Sequence, residues 1–460
     1  TLFRSAELQV HARLAGPVGG GLAAELQPLE PGLPFRLEAA GLAGGWPLGT
    51  GRTVAAEGLT LTAGGDLDGV TGRFSGGVDG EHIPRGRWRG ELAVDGEGAV
   101  LEGLEGALLG GSARGRAEIG WGEGVRWDVA ARLDGVDPSA EWPQAPEAVS
   151  GPVEVTGEAG GQGWALDVAT PGLDARLRGR ELQVSGRAQR TLAGAWRFDG
   201  LEAALEGGGR IAVDGALAEA WDLRVRADLT DLSAIDPRLR GQLEGQARIE
   251  GPPERARIVT AGQGSGLGWA AYALGQLEWQ ADIPALGHEP GTAEVALTGL
   301  EAPQGRVEQA WLQAAGTRAD HRLALRVADP RGSARLALAG GLTPEGAWRG
   351  QVTEAGGEAE GHAVELAAPF PVRLQPAQGA AEVGAHCWRY RGARLCLDQP
   401  ARVTPEEAAA ELSFRGVELA WLEPWLPAGI EWDGGLAGAG ALAWSAAAGL
   451  EADRKSTRLN

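Results

Sequence analysis

The chain has no methionine, two tyrosines, six phenylalanines and two cysteines in 460 residues. Its one lysine, Lys455, and its one asparagine, Asn460, both fall within residues 453–460, DRKSTRLN. That octapeptide and residues 1–5, TLFRS, resemble translated adapter sequence, and both are set aside from fold reasoning. A native part without methionine is expected to be an internal piece of a longer protein, so a missing leader or anchor carries no information. No run of 18 apolar residues occurs, which excludes a transmembrane helix within the sequence. Basic residues are scarce, at 42 Lys plus Arg against 62 Asp plus Glu, for a net charge of -20. Removing the two ends takes away Arg4, Arg454, Lys455, Arg458 and Asp453, so 42 − 4 = 38 and 62 − 1 = 61, or about -23. Such a balance argues against nucleic acid and against electrostatic capture by anionic headgroups.

Reactive constellations are missing too. The histidines, His11, His82, His288, His321, His362 and His386, lie at no metal-ligand spacing from one another or from the cysteines. No serine occupies a Gly-x-Ser-x-Gly elbow. The glycine run Gly262, Gly264, Gly266 and Gly268 is followed by no helical pattern, so it reads as a turn rather than a phosphate cradle. The carboxylates alternate along strands as solvated faces. The expectation is a protein that is not an enzyme and holds no metal or other cofactor.

What the chain does have is alternation. From Trp221 to Thr230, Trp221, Leu223, Val225, Ala227 and Leu229 interleave with Asp222, Arg224, Arg226, Asp228 and Thr230. After a connector containing Asp236-Pro237, Leu243, Ala247 and Ile249 interleave with Gln242, Glu244, Arg248 and Glu250. Period two over nine or more residues predicts strands with one apolar and one polar face. The same unit is present from Trp127 to Gly157, with Asp137-Pro138 in its connector, and again from Phe414, with Glu423-Pro424. These are divergent internal repeats. Further strands are predicted at Leu8–Leu14, Phe35–Ala39, Leu59–Ala63, Trp88–Val94, Leu182–Ser185 and Leu323–Val327, among others. Helical periodicity is nearly absent. A helix start is read at Thr404-Pro405-Glu406-Glu407, and a short helical face at Leu422, Trp425 and Leu426.

With 76 Gly and 26 Pro, turns recur every eight to twelve residues or so, as in an all-β protein. That spacing predicts roughly 35 to 40 strands. Neither a closed barrel nor an ordinary open sheet accommodates so many. The expected fold is all-β: a long, mostly antiparallel sheet curled into an open, taco-like groove with an apolar interior and few short helices. Residues 6–124 form its weaker-patterned first part, and residues 125–452 the repeated units. The plain alternative for any one strand is an ordinary packed sandwich core.

Cys387 and Cys396 form one specific pair. A two-residue turn at Arg391-Gly392 sets Tyr390 opposite Ala393, Arg389 opposite Arg394, Trp388 opposite Leu395 and Cys387 opposite Cys396. Opposed residues sit within disulfide reach, so a bond is expected, and with it an oxidising compartment.

Three stretches together resemble the TamB family of AsmA-like proteins. They are GAHCWRYRGARLCLDQP at Gly384 to Pro400, VELAWLEPWLPAGIEWDGGLAGAGAL at Val417 to Leu442, and the repeated unit WDLRVRADLTDLSAIDPRLRGQLEGQARIEG from Trp221. The resemblance covers most of Val125 to Leu450 and is weaker before that. It implies a periplasmic protein of a Gram-negative bacterium, anchored in the inner membrane through a segment outside this sequence. It also implies an outer-membrane barrel partner, TamA, and links to outer-membrane protein assembly and phospholipid movement. The leading functional expectation is a conduit for phospholipid acyl chains, lined by Leu223, Val225, Leu229, Leu243, Ile249, Leu323, Leu325 and Val327. The alternatives are a scaffold that receives outer-membrane strands at a sheet edge by β-augmentation, and an adhesin-like β-solenoid.

Overall fold

A computed structural model describes residues 7–14, 18–48, 52–80, 83–161, 163–286, 288–303, 305–419, 421, 434–446 and 449–459. Among the described residues there are thirty-two strands and four single-turn 3-10 helices. The fold is all-β, as the alternation predicts. The strands are fewer than the turn spacing suggested because they are longer. Gly163–Leu177 runs for 15 residues, and Phe35–Leu48, Arg52–Gly65 and Glu147–Gly160 for 14 each.

The chain divides into two compact units, Thr1–Ile235 and Asp236–Asn460. The first contains β1 (Leu8–Leu14) through β15 (Trp221–Leu229). Each of these strands pairs antiparallel with the next, so the unit is one uninterrupted meander. Turn chemistry explains the tight connections. Leu109-Gly110 and Arg178-Gly179 both have two positive φ values, 47° and 77° in one and 54° and 79° in the other. Two successive positive φ values make the type I′ hairpin, whose twist matches that of paired strands.

The connectors of the first two repeat copies fold alike. Asp137 and Asp231 each cap a 3-10 turn, Pro138–Ala140 and Leu232–Ala234. Each aspartate Oδ1 accepts from the serine two residues on, through both its backbone N–H and its hydroxyl. The copies are in register, since 221 − 127 = 94 and 231 − 137 = 94. The Asp231 carboxyl is held below its ordinary range, first by the Ser233 hydroxyl and then by the Ser233 N–H and Arg180.

The second unit starts with β16 (Leu239–Gly251) and continues as a meander to β23 (Trp348–Ala359). There the ladder divides. One half of β23 pairs with β24 (His362–Leu366) and the other half with β25 (Phe370–Gln375). β24 leads to β27 (His386–Tyr390) and β28 (Ala393–Leu397), while β25 leads to β26 (Ala380–Val383) and β29 (Ala401–Val403). Both branches end on β30 (Glu407–Glu418). Buried side chains gather at this division, among them Trp348, Val352, Phe370, Ala393 and Leu397. β31 (Gly435–Ser445) and β32 (Gly449–Leu459) complete the unit.

The predicted helix start at Thr404 is not one. Thr404 Oγ1 accepts from the N–H groups of Glu406 and Glu407 at 3.3 and 3.1 Å, and the chain then enters β30 directly. The hydroxyl closes a turn, and Ala408 and Ala410 continue with the period of a strand rather than of a helix. The helical face read at Leu422, Trp425 and Leu426 lies outside the described residues, as does Glu423-Pro424.

Candidate functional site: an unsealed apolar face

Residues paired across an antiparallel ladder share a face, so the register sorts side chains into rows that cross the strands. In the first unit one row begins at Val10 and ends at Leu223, passing Leu92, Val129, Val155 and Phe198. It crosses fifteen strands, and every member is Ala, Val, Leu, Phe or Gly. Shifted by one residue, the row on the other face runs through Asp128, Thr156, Asp167, Gln189 and Arg197. Asp167 there accepts from Arg187 Nε and Gln189 Nε2, both at 2.7 Å.

The second unit repeats the arrangement. Leu243 leads through Gly264, Leu277, Leu297 and Ala310 to Val327. Trp279, Val295 and Leu312 lead to Leu325 in the next row. The row after that reaches Leu323, and Ile249 begins a fourth through Ile258 and Ile283. The structure therefore sets Leu243, Ile249, Leu323, Leu325 and Val327 on one face of the second unit. Leu223, Val225 and Leu229 share one face of the first, by their alternation in β15.

Degree of burial distinguishes a lined surface from a packed core. Among the described residues no large side chain is completely buried. Leu223 is 8% exposed, whereas Val225, Leu229, Leu243, Ile249, Leu323, Leu325 and Val327 are only half-buried. A sandwich interior packs to crystal-like density and would exclude water from these positions. Here the apolar side chains are partly shielded yet still reachable by solvent.

Glycines shape that face by making room for indoles. A Cβ on Gly157 would lie 2.4 Å from the ring of Trp127, and one on Gly262 would lie 2.3 Å from the ring of Trp279. The indoles thus lie against neighbouring backbone rather than projecting across the surface. At the margin of the second unit, Trp348 Nε1 donates to His321 Nε2 at 2.9 Å. That leaves the His321 Nδ1 hydrogen to donate to the Thr317 carbonyl at 3.0 Å, so the neutral ring is fully satisfied.

The polar side is laced with ion pairs, such as Arg73–Glu91 at 3.0 Å and Arg335–Glu365 at 2.7 Å. Exposed pairs contribute about 0–1 kcal/mol each, so they keep the polar face wet more than they stabilise it.

The cysteine hairpin has the register expected of it. Cys387 faces Cys396, and Arg391 and Gly392 have φ values of 48° and 89°. The cysteines form a disulfide, with Cα atoms 4.0 Å apart and a sequence separation of 9. Closing a ten-residue loop is worth about 2–3 kcal/mol in the chain-entropy model. Replacing both cysteines by serine is expected to remove about that much stability locally. Amide exchange in β27 and β28 should then rise by one to two orders of magnitude, with exchange in β1–β15 unchanged.

In each unit an antiparallel ladder with one polar side and one unsealed apolar side defines a β-sheet protein that presents an apolar surface across its strands. The chain belongs to the TamB family: residues 4–456 match the family described as TamB, N-terminal domain. It is also 22% identical over 349 residues to the translocation and assembly module subunit TamB of Haemophilus influenzae. That alignment covers 74% of this chain and 26% of the relative, so the chain spans about a quarter of the curated relative's length.

Proposed function

We propose that this chain is part of a non-enzymatic bridge in the envelope of a Gram-negative bacterium, carrying phospholipid acyl chains between the inner and outer membranes along its apolar face. The observation that carries the reading is the fifteen-strand row from Val10 to Leu223, uninterrupted by a polar side chain and not sealed by packing. Each methylene kept out of water is worth about 0.8 kcal/mol, so an acyl chain gains on the order of 10 kcal/mol anywhere along such a path. Uniform lining suits movement, because no position holds the chain more tightly than the next. The disulfide suits an oxidising periplasm. The family's assembly-module name supports a link to outer-membrane assembly, with an outer-membrane barrel, TamA, as the partner in that module.

Photoreactive residues at Val129, Val168 and Leu325 test the proposal. Phospholipid captured at all three, identified by mass spectrometry, is the expected result. Capture of unfolded outer-membrane strands at the sheet edges, with no lipid on the apolar face, would instead favour a scaffold that works by β-augmentation.

A further inference from the structure

A second row on the apolar face of the first unit lies two residues from the first. It runs from Leu8 to Trp221 and again crosses fifteen strands. Fourteen of its members are Leu, Phe, Val, Ala, Ile, Trp or Gly, and the remaining one is Arg190. This is a lone cation among thirty positions of greasy surface. Its surroundings are aromatic. Arg190 Cζ lies 3.9 Å from the centroid of the Trp164 ring, and Arg190 Nη1 donates to the Trp164 carbonyl. Trp196 faces it across β12 (Arg180–Arg190) and β13 (Trp196–Leu205), stacked on Phe198 with centroids 6.1 Å apart. Leu166 faces it on the other side.

Among the described residues no carboxylate pairs with Arg190. Glu118, Asp128, Glu158 and Asp167 border the same hollow, of about 1030 Å³, together with a second cation, Arg126, but all five belong to rows of the opposite face, where Glu158 faces Arg126 across the ladder. A half-buried guanidinium with five N–H donors is left with donors to spare, and such groups seek anionic oxygens. Tryptophan flanks suit a boundary between acyl chain and polar head, where one side of the ring is apolar and the other wet.

We infer that Arg190 is a headgroup station: it takes the phosphodiester of a phospholipid while the acyl chains lie along Leu166, Val168 and Phe198. This rests on the lipid-carrying reading and adds to it which margin of the apolar face the headgroups follow. The flat, delocalised guanidinium stacked on Trp164 fits two phosphate oxygens as an ammonium would not.

Quenching of tryptophan fluorescence by brominated acyl chains tests it on the whole chain. The probes are dibrominated phosphatidylethanolamine, diacylglycerol with the same chains, and the free brominated fatty acid. Arg190→Gln is expected to weaken phosphatidylethanolamine about tenfold, the value of one charge-assisted hydrogen bond, and to leave diacylglycerol within about twofold. Arg190→Lys should recover part of the loss. Equal weakening of both lipids, or no change in either, would overturn the station and leave the lipid-carrying reading in place. An effect confined to the fatty acid would overturn the phosphodiester in favour of a carboxylate. If no probe quenches the unaltered protein, the lipid-carrying reading fails and the station with it.

Discussion

Val155→Asp is expected to lower lipid capture at photoreactive positions on either side of it, Val129 and Val168, by about thirtyfold. Val155 stands in the middle of the first unit's all-apolar row, directly opposite Val129 on one strand and Val168 on the other. It is half-buried, so a carboxylate placed there remains in contact with water and ionised at neutral pH. Its hydration shell displaces two to three methylenes of any acyl chain alongside. At about 0.8 kcal/mol each that is about 2 kcal/mol, or some thirtyfold in occupancy. The same shell blocks sliding, because a chain would have to leave the surface to pass. The backbone ladder through β10 (Glu147–Gly160) does not depend on the valine side chain, and the circular dichroism of the sheet should be unchanged. Ala130→Asp supplies the control. Ala130 is next to Val129 in sequence and also half-buried, but it belongs to the polar face, between Arg116 and Glu154. A carboxylate there should leave lipid capture as it was. Loss of capture in both variants would mean that added charge, rather than interruption of the apolar row, is responsible.

The ladder was legible because alternation is a local signal. Leu223, Val225 and Leu229 share a face whatever surrounds them, and β1 coincides with the stretch read from Leu8 to Leu14. The Cys387–Cys396 register was legible because a two-residue turn leaves one pairing only. Equivalent turns at Leu109-Gly110, Arg178-Gly179 and Glu360-Gly361 gave weaker signals. Asparagine and aspartate mark such turns most strongly, and here leucine, arginine and glutamate occupy the first position. The division of the ladder after β23 left no local mark, since it is set by which distant strands β24 and β25 meet.

Arg190 was hidden for an instructive reason. The strand read as Leu182–Ser185 in fact continues as β12 to Arg190, and its last residues, Arg187, Ala188, Gln189 and Arg190, show no clean alternation. A guanidinium at an apolar position makes the pattern look like a loop. Only the partners of Arg190, Leu166 and Trp196, reveal which face it shares. The connectors were read by their prolines, Asp137-Pro138 and Asp236-Pro237, whereas the equivalent caps are Asp137 and Asp231, which only their hydrogen bonds to Ser139 and Ser233 reveal.

Gly215→Ala should be far more damaging than the addition of one methyl suggests, at about 3 kcal/mol or more. Gly215 lies in the all-apolar row between Phe198 and Leu223. Its φ is +118°, a conformation that side chains with a Cβ rarely adopt, at a cost on the order of 1–3 kcal/mol. The space is occupied as well: a Cβ would fall 1.9 Å from the carbonyl oxygen of Asp222 and 3.0 Å from Leu223 Cα. Both obstacles are backbone, so no rotamer change relieves them, and the β14 (Gly209–Leu217) to β15 pairing must open. Opening it would displace Leu223, the most deeply buried of the residues predicted to line the apolar face. Gly122 offers the contrast. Its φ is not positive and nothing lies within 4 Å of a Cβ placed on it, so Gly122→Ala should change stability by a few tenths of a kcal/mol. Hydrogen exchange resolved by strand would separate the outcomes. Protection should fall in β14 and β15 for Gly215→Ala and stay unchanged for Gly122→Ala. Equal and small effects from the two substitutions would show that the sheet bends freely at Gly215 and that the glycine is not what holds the row in line.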